Sequence, residues 1–114
     1  MRAVKRGVWS WFLQRVTGIL LVVGMAIHFI TLHFQSNESI TFDRVISRLQ
    51  TSAWQIFDLA LLGFVLYHGL NGLWAIVLDF MPSAKIKNIL GWAFSIVGLG
   101  TFVYGFWALM AFTK

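Results

Sequence analysis

Three stretches without a formal charge decide what this chain can fold into. Residues 16–37, 59–78 and 88–113 hold no Asp, Glu, Lys or Arg over 22, 20 and 26 consecutive positions. Each exceeds the roughly 18 apolar residues that mark a helix able to cross a hydrocarbon core about 30 Å thick. Inside lipid a backbone satisfies its own N–H and C=O groups only as a helix or a closed barrel. These stretches lack the alternation of a barrel strand, so helices remain. The expected fold is an all-α membrane protein, a single domain over 1–114 with three transmembrane helices at about 13–36, 55–80 and 88–112.

Composition excludes the soluble alternatives. Apolar residues make up 59% of the 114 and charged residues only 11%, against about 45–50% and 25% in soluble domains. Six Trp and eleven Phe overfill the interior of so small a globule. The net charge of +5 suggests nucleic acid, but the basic residues are dispersed or flank apolar runs and form no solvated stripe, so no nucleic-acid partner is expected. Without cysteine there is no disulfide, no thiolate-bound metal, no iron–sulfur cluster and no cysteine nucleophile. Arg2, Lys5 and Arg6 before the first span imitate a signal peptide, yet the apolar run is long for one and Gly24-Met25-Ala26 makes a poor cleavage site, so the segment is expected to be retained.

Basic residues near the span ends set the orientation. Arg2, Lys5, Arg6, Arg15, Lys85 and Lys87 fall on one side, and Arg44, Arg48 and Lys114 on the other, with Glu38, Asp43 and Asp58. The positive-inside rule then places the N-terminus in the cytoplasm and the C-terminus outside. Trp9, Trp11, Trp54 and Trp92 lie near the expected interfaces. Residues 41–50 space their apolar side chains as a short interfacial helix, and Pro82 ends the second span.

An ionisable residue inside a span is a functional hypothesis by default. His68 lies near mid-span, with Gly69, Asn71 and Gly72 just behind it. Gly72 is four residues on, about 40° around the helix, so a smooth notch adjoins the imidazole. A flat macrocycle held through an axial histidine needs such a notch. Close helix packing with a histidine hydrogen bond needs the same residues. His28 repeats the pattern with Gly24 one turn before it, as a second ligand, a polar contact or part of a proton path. His33, about 140° further around, reads as an interfacial residue. Asp79 is eleven residues after His68 and only about 20° away, at the cytoplasmic mouth of the same face. It suits a proton relay, a bond to a polar head group, or an ion pair with Arg15 or Lys85. Arg15 is expected at the same depth as Asp79, where its guanidinium suits an acidic group or a quinone oxygen, or simply marks the boundary.

No paired carboxylates, Ser/His/Asp set, phosphate-binding glycine loop or HExxH is present, so the chain is not expected to be an enzyme on its own. The Arg-Val-Thr-Gly run at 15–18, the His-Gly-Leu-Asn-Gly-Leu run at 68–73, Asp79-Phe80, and Trp-Gln-Ile-Phe-Asp-Leu at 54–59 together resemble a small hydrophobic membrane-anchor subunit of succinate dehydrogenase. The resemblance covers about 9–80 and is nearer the D-type anchor than its C-type sister. The third helix matches in length and hydrophobicity alone.

That resemblance implies half of a helical bundle, completed by a sister three-helix anchor, in the inner (cytoplasmic) membrane of a prokaryote. It implies a flavoprotein subunit that oxidises succinate and an iron–sulfur subunit that carries electrons to the membrane. Haem b, one or two per complex, and quinone as substrate follow. His68 matches a haem-iron ligand on the second helix, and His28 stands where two-haem relatives have a ligand on the first. Gly72 and Gly24 then border haem, Arg15 meets a haem propionate or quinone, and Asp79 edges the quinone site. Many relatives have Tyr where Phe80 stands, so the hydroxyl that reaches a quinone oxygen is missing here. Two other readings stay open: a haem-free, quinone-binding anchor of a fumarate reductase-type complex, and a small proton or ion conductor using His28, His68 and Asp79.

Overall fold

The computed structural model describes residues 2–34 and 40–113, with side chains from Gly7 onward in the first segment. The side chains of Arg2, Lys5 and Arg6, and residues 35–36, Glu38 and Lys114, lie outside the described residues. Four helices follow one another: α1 (Arg2–His33), α2 (Phe42–Leu49), α3 (Ser52–Asp79) and α4 (Ala84–Met110). The three long ones are apolar enough to cross a membrane.

Local chemistry explains the breaks. Thr41 caps α2, its hydroxyl accepting from Arg44 N–H at 3.4 Å, while Asp43 in the first turn and Arg48 in the last suit the helix dipole. After α3, Met81 takes a positive φ of 47°. The residue before a proline is kept out of the right-handed helical region, so Pro82 turns the chain here. Ser83 then caps α4, accepting from Ile86 N–H at 3.4 Å. Because the cap sits at 83, α4 starts a turn earlier than the expected span, and Lys85 and Lys87 belong to its first turn.

Packing is inverted relative to a soluble protein. Among the described residues, Leu61 is the single buried large hydrophobic side chain, whereas the polar Thr17, Thr31 and Gln55 are buried as well. Both threonines donate back to their own helix, to Leu13 O at 2.7 Å and Ile27 O at 2.6 Å, so burial leaves no hydroxyl unpaired. Large apolar residues on all three long helices face outward, Val22 at 73% and Ile19 at 67% exposure. The fold is thus a slab, 53 × 26 × 20 Å, whose exposed surface needs lipid or another apolar protein.

Central α3 packs against α1, α4 and α2. Toward α4, Trp74, Leu70 and Leu62 act as knobs opposite Gly91, Gly98 and Gly105, which recur every seven residues. A Cβ at Gly98 would stand 2.7 Å from Leu70 Cδ1, and one at Gly105 would overlap Leu62. Glycine at these positions lets the helices approach closely, and a larger residue at 98 or 105 makes the facing leucine tip give way. Near the far end Gln55 ties three elements together, donating from Nε2 to Leu49 O at 2.6 Å and to Thr113 Oγ1 at 3.3 Å.

Candidate functional site

One stretch of the α1–α3 seam, residues 10–17 against 68–72, is lined by polar residues. Ser10, Gln14 and Thr17 recur at i, i+4 and i+7, which puts them on one stripe of α1. Facing them on α3 are His68, Asn71 and Gly72. Ser10 Oγ donates to Asn71 Oδ1 at 2.7 Å, and Asn71 Nδ2 donates to Gln14 Oε1 at 2.9 Å and to Ser10 O at 3.3 Å. Gln14 Nε2 in turn donates to His68 O at 3.2 Å. In an apolar medium such a closed set aligns two helices in one register.

His68 lies within this set, half-buried. Its Nδ1 is 3.2 Å from Thr17 Oγ1. The Thr17 hydroxyl proton already points at Leu13 O, 2.7 Å away, so the threonine oxygen is left to accept. Nδ1 therefore carries the proton and Nε2 the lone pair. Nε2 has no hydrogen bond among the described residues. A histidine whose Nδ1–H is held by an oxygen and whose Nε2 is free is oriented as metal-binding histidines are, so the donor chemistry fits an axial ligand of haem iron. Gly18 makes the fit close, since a Cβ there would lie 3.2 Å from His68 Cε1.

The expected notches are not open. Gly72 accommodates the Gln14 amide, whose Nε2 would be 3.2 Å from an added Cβ, and Gly24 accommodates Leu61, at 2.8 Å. Both glycines serve the α1–α3 approach. Leu61 in Gly24 also seals the seam between His68 and His28 with apolar atoms. Beside Thr17, an open groove of about 580 Å³ is walled by Leu13, Ala60, Phe64, Tyr67 and Phe102.

His28 lies further along the seam. Its Nδ1 comes to 3.5 Å from Asp58 Oδ1, and Asp58 is gripped by Arg48 of α2 at 2.8 Å. His33 is exposed, its ring 4.3 Å from that of Phe29.

The depth expected for Arg15 needs correction. The contacts Ser10–Asn71, Gln14–His68, Gly18–His68, Gly24–Leu61 and His28–Asp58 fix an antiparallel register. In it Arg15 stands level with His68, and Asp79 lies eleven residues, about 16 Å, beyond. Arg15 and Asp79 therefore do not meet. The Arg15 guanidinium lies over Trp11, 4.3 Å from its ring centroid, and Asp79 is exposed with no ion pair among the described residues.

Sequence reasoning passed over Ser10, Gln14 and Thr17, although a polar stripe on an apolar helix was a visible signal. It also passed over the Arg48–Asp58 pair, which joins residues on two different helices. Among the described residues no group of three or more His, Cys, Asp or Glu side chains gathers as a metal site.

An all-helical slab with outward apolar faces and one histidine-bearing polar seam is an integral membrane subunit, made to be completed by lipid and other apolar surface. Residues 1–106 match the model of the succinate dehydrogenase/fumarate reductase transmembrane subunit family. The succinate dehydrogenase hydrophobic membrane anchor subunit of Thermoplasma acidophilum is 33% identical over 103 residues, 90% of this chain and 84% of that one. Its namesake from Archaeoglobus fulgidus is 26% identical, covering 90% and 87%. The succinate dehydrogenase 2 membrane subunit SdhC of Mycobacterium tuberculosis is 24% identical, covering 82% and 69%. The chain belongs to the succinate dehydrogenase/fumarate reductase transmembrane subunit family. It is a membrane-anchor subunit and not the part that oxidises succinate.

Proposed function

We propose that this chain binds haem b and helps pass electrons from an iron–sulfur subunit to quinone. The observation that carries the reading is the 3.2 Å contact of His68 Nδ1 with Thr17 Oγ1 beside the Thr17 bond to Leu13 O, which assigns the lone pair to Nε2. His68 holds the iron from α3, and His28 holds a second iron if two haems are present, with opposing ligands from a sister three-helix anchor. Haem, when bound, supplies a one-electron carrier within the apolar bundle.

The chain's own residues do the rest. Thr17 fixes the His68 tautomer. Gln14, Asn71 and Ser10 hold the backbone at 68 against α1, and Gly18, Gly24 and Gly72 bring the helices close. Arg15, level with His68, offers its guanidinium fork to a haem propionate or a quinone oxygen. Asp79 stands at the edge of the quinone site near the membrane surface, where Phe80 supplies no hydroxyl. The outward apolar faces suit lipid and the sister anchor. The basic residues Lys85 and Lys87 suit the iron–sulfur subunit or anionic lipid, and the flavoprotein completes the complex beyond it. The N-terminus lies in the cytoplasm and the membrane is the cytoplasmic membrane of a prokaryote.

A haem-free, quinone-binding anchor is the second reading, favoured by Gln14 filling the Gly72 notch. A reduced-minus-oxidised spectrum of the purified complex, with haem counted per flavin, separates the two. His68→Ala is expected to remove about one b-type haem, and His28→Ala the other where the wild type holds two. A wild-type complex without a haem band refutes the first reading.

A further inference from the structure

Where α1, α2 and α3 converge, a shielded carboxylate faces both a guanidinium and an imidazole. Arg48 donates from Nη1 to Asp58 Oδ2 at 2.8 Å and from Nη2 to Oδ1 at 2.9 Å, a bidentate fork. Its guanidinium also lies 4.4 Å above the Trp54 ring. The two side chains keep only 11% and 13% of their surface exposed, so the fork is protected from water and holds the carboxylate in one orientation.

On the other side, His28 Nδ1 is 3.5 Å from Asp58 Oδ1. That nitrogen is itself buried and makes no hydrogen bond. The separation is slightly longer than an N–H···O bond, about 2.7–3.2 Å, and a small turn of the ring closes it. A carboxylate oxygen only accepts, so the tautomer suited to this contact carries its proton on Nδ1 and its lone pair on Nε2. Among the described residues Nε2 has no hydrogen bond. An orphaned buried nitrogen aimed at a fixed carboxylate fits a histidine whose other nitrogen binds metal.

We propose that Asp58, held in place by Arg48, is a positioning residue for His28 as a haem ligand. The proposal rests on the reading of His28 as an iron ligand. A carboxylate acceptor makes the imidazole a stronger donor than a neutral acceptor would. The stronger donor favours the oxidised iron, so the haem on His28 sits at a lower potential because Asp58 is there. Thr17, a neutral hydroxyl, plays the corresponding part for His68, and the two histidines are thereby made unequal.

The test is a redox titration of the purified complex followed by visible and low-temperature EPR spectra, for wild type, His28→Ala, Asp58→Asn and Arg48→Gln. His28→Ala identifies which component belongs to His28. Asp58→Asn is expected to retain that component, move it to higher potential and change its low-spin g values, with the His68 component unmoved. Arg48→Gln frees the carboxylate charge from its guanidinium and is expected to move the same component to lower potential. Unchanged potential and g values in both variants, with only a lowered thermal midpoint, overturn the proposal and leave Asp58 as a tie between α2 and α3. If Asp58→Asn does not assemble, Arg48→Gln decides in the same way. A His28→Ala complex that keeps every haem overturns the ligand reading itself, an outcome distinct from an unmoved His28 component.

Discussion

The two long seams of α3 are built from opposite chemistry. Against α1 it presents His68, Asn71 and Gly72 to Ser10, Gln14 and Thr17, and the contact is a chain of hydrogen bonds. Against α4 it presents Leu62, Leu70 and Trp74 to glycines spaced by seven, and the contact is shape. Interhelical hydrogen bonds in membranes contribute on average about 0.6 kcal/mol, with about 1.7 at most. A network of that strength does not by itself explain why a membrane helix carries so many polar groups. Among the described residues no side-chain hydrogen bond joins α3 to α4 itself, the Gln55–Thr113 bond lying past the end of α4, so this fold joins two long helices by shape. The difference teaches that polar contacts fix the position of the His68 ring on the α1 side, whereas shape alone joins the helices on the α4 side.

The largest effect is expected where shape alone acts. Gly105→Leu drives a side chain into Leu62, and overpacking costs about 1–3 kcal/mol. The thermal midpoint of the purified complex should fall clearly, while, if the chain binds haem as proposed, the haem content per flavin of the surviving complex stays at the wild-type value. Haem loss at an unchanged midpoint would mean that the two seams do not divide their work in this way.

Asn71→Leu sharpens the contrast from the other side. It removes the bonds to Ser10 Oγ, Ser10 O and Gln14 Oε1 and leaves the Gln14 carbonyl without that partner. Three such bonds at about 0.6 kcal/mol each give a cost of about 1.8 kcal/mol, below the upper end of the range for Gly105→Leu. If His68 holds haem as proposed, the reduced haem band should nevertheless shift or broaden, because Gln14, whose amide tethers the backbone at His68 to α1, loses its own bond to Asn71. A large drop in midpoint with an unaltered spectrum would reverse the roles assigned to the seams.

How much of this was legible before the fold was known depends on which residues are asked about. The three spans were plain in the charge-free stretches, since a missing charge is a property of one segment. The end of α3 and the short α2 were equally local, set by Pro82 and by the cap at Thr41. The level of Arg15 was not, because four basic residues before residue 16 imitate a membrane boundary while α1 runs straight through them from Arg2. Its true level follows from the pairing of Gly18 with His68 and Gly24 with Leu61, and a register between helices is written in two segments at once. The grip of Arg48 on Asp58 was hidden for the same reason. The stripe of Ser10, Gln14 and Thr17, and the glycines at 91, 98 and 105, were local signals, overlooked because an all-apolar segment invites no search for a face. His68 was legible as a candidate, and its tautomer was not, since that depends on the bond Thr17 makes to Leu13 O.

A milder change at the site is Gly18→Ala. Its methyl would stand 3.2 Å from His68 Cε1, close enough that the ring must give by a few tenths of an ångström. Stability should change by less than about 1 kcal/mol, at the lower edge of overpacking effects. If His68 holds haem as proposed, the reduced haem band should still move, since the ring itself is displaced. An unmoved band would place the His68 ring away from the cofactor.

The smallest effect belongs to Ser95 on α4. It is a polar residue in a membrane helix, like Ser10, and composition alone gives no reason to treat the two differently. Its hydroxyl, however, donates to Gly91 O of its own helix at 2.9 Å, whereas that of Ser10 crosses to Asn71. A serine bonded within its own helix joins nothing to anything, and losing it costs the slab little. Ser95→Ala should leave the haem spectrum unchanged and the midpoint within the few tenths of a kcal/mol typical of peripheral substitutions. Ser10→Ala, with the same atoms removed, should cost about 0.6 kcal/mol and disturb the spectrum in the direction of Asn71→Leu. Equal behaviour of the two serines in both readouts would show that polar residues in this slab act by their presence alone, and the distinction between an orienting seam and a holding seam would fail.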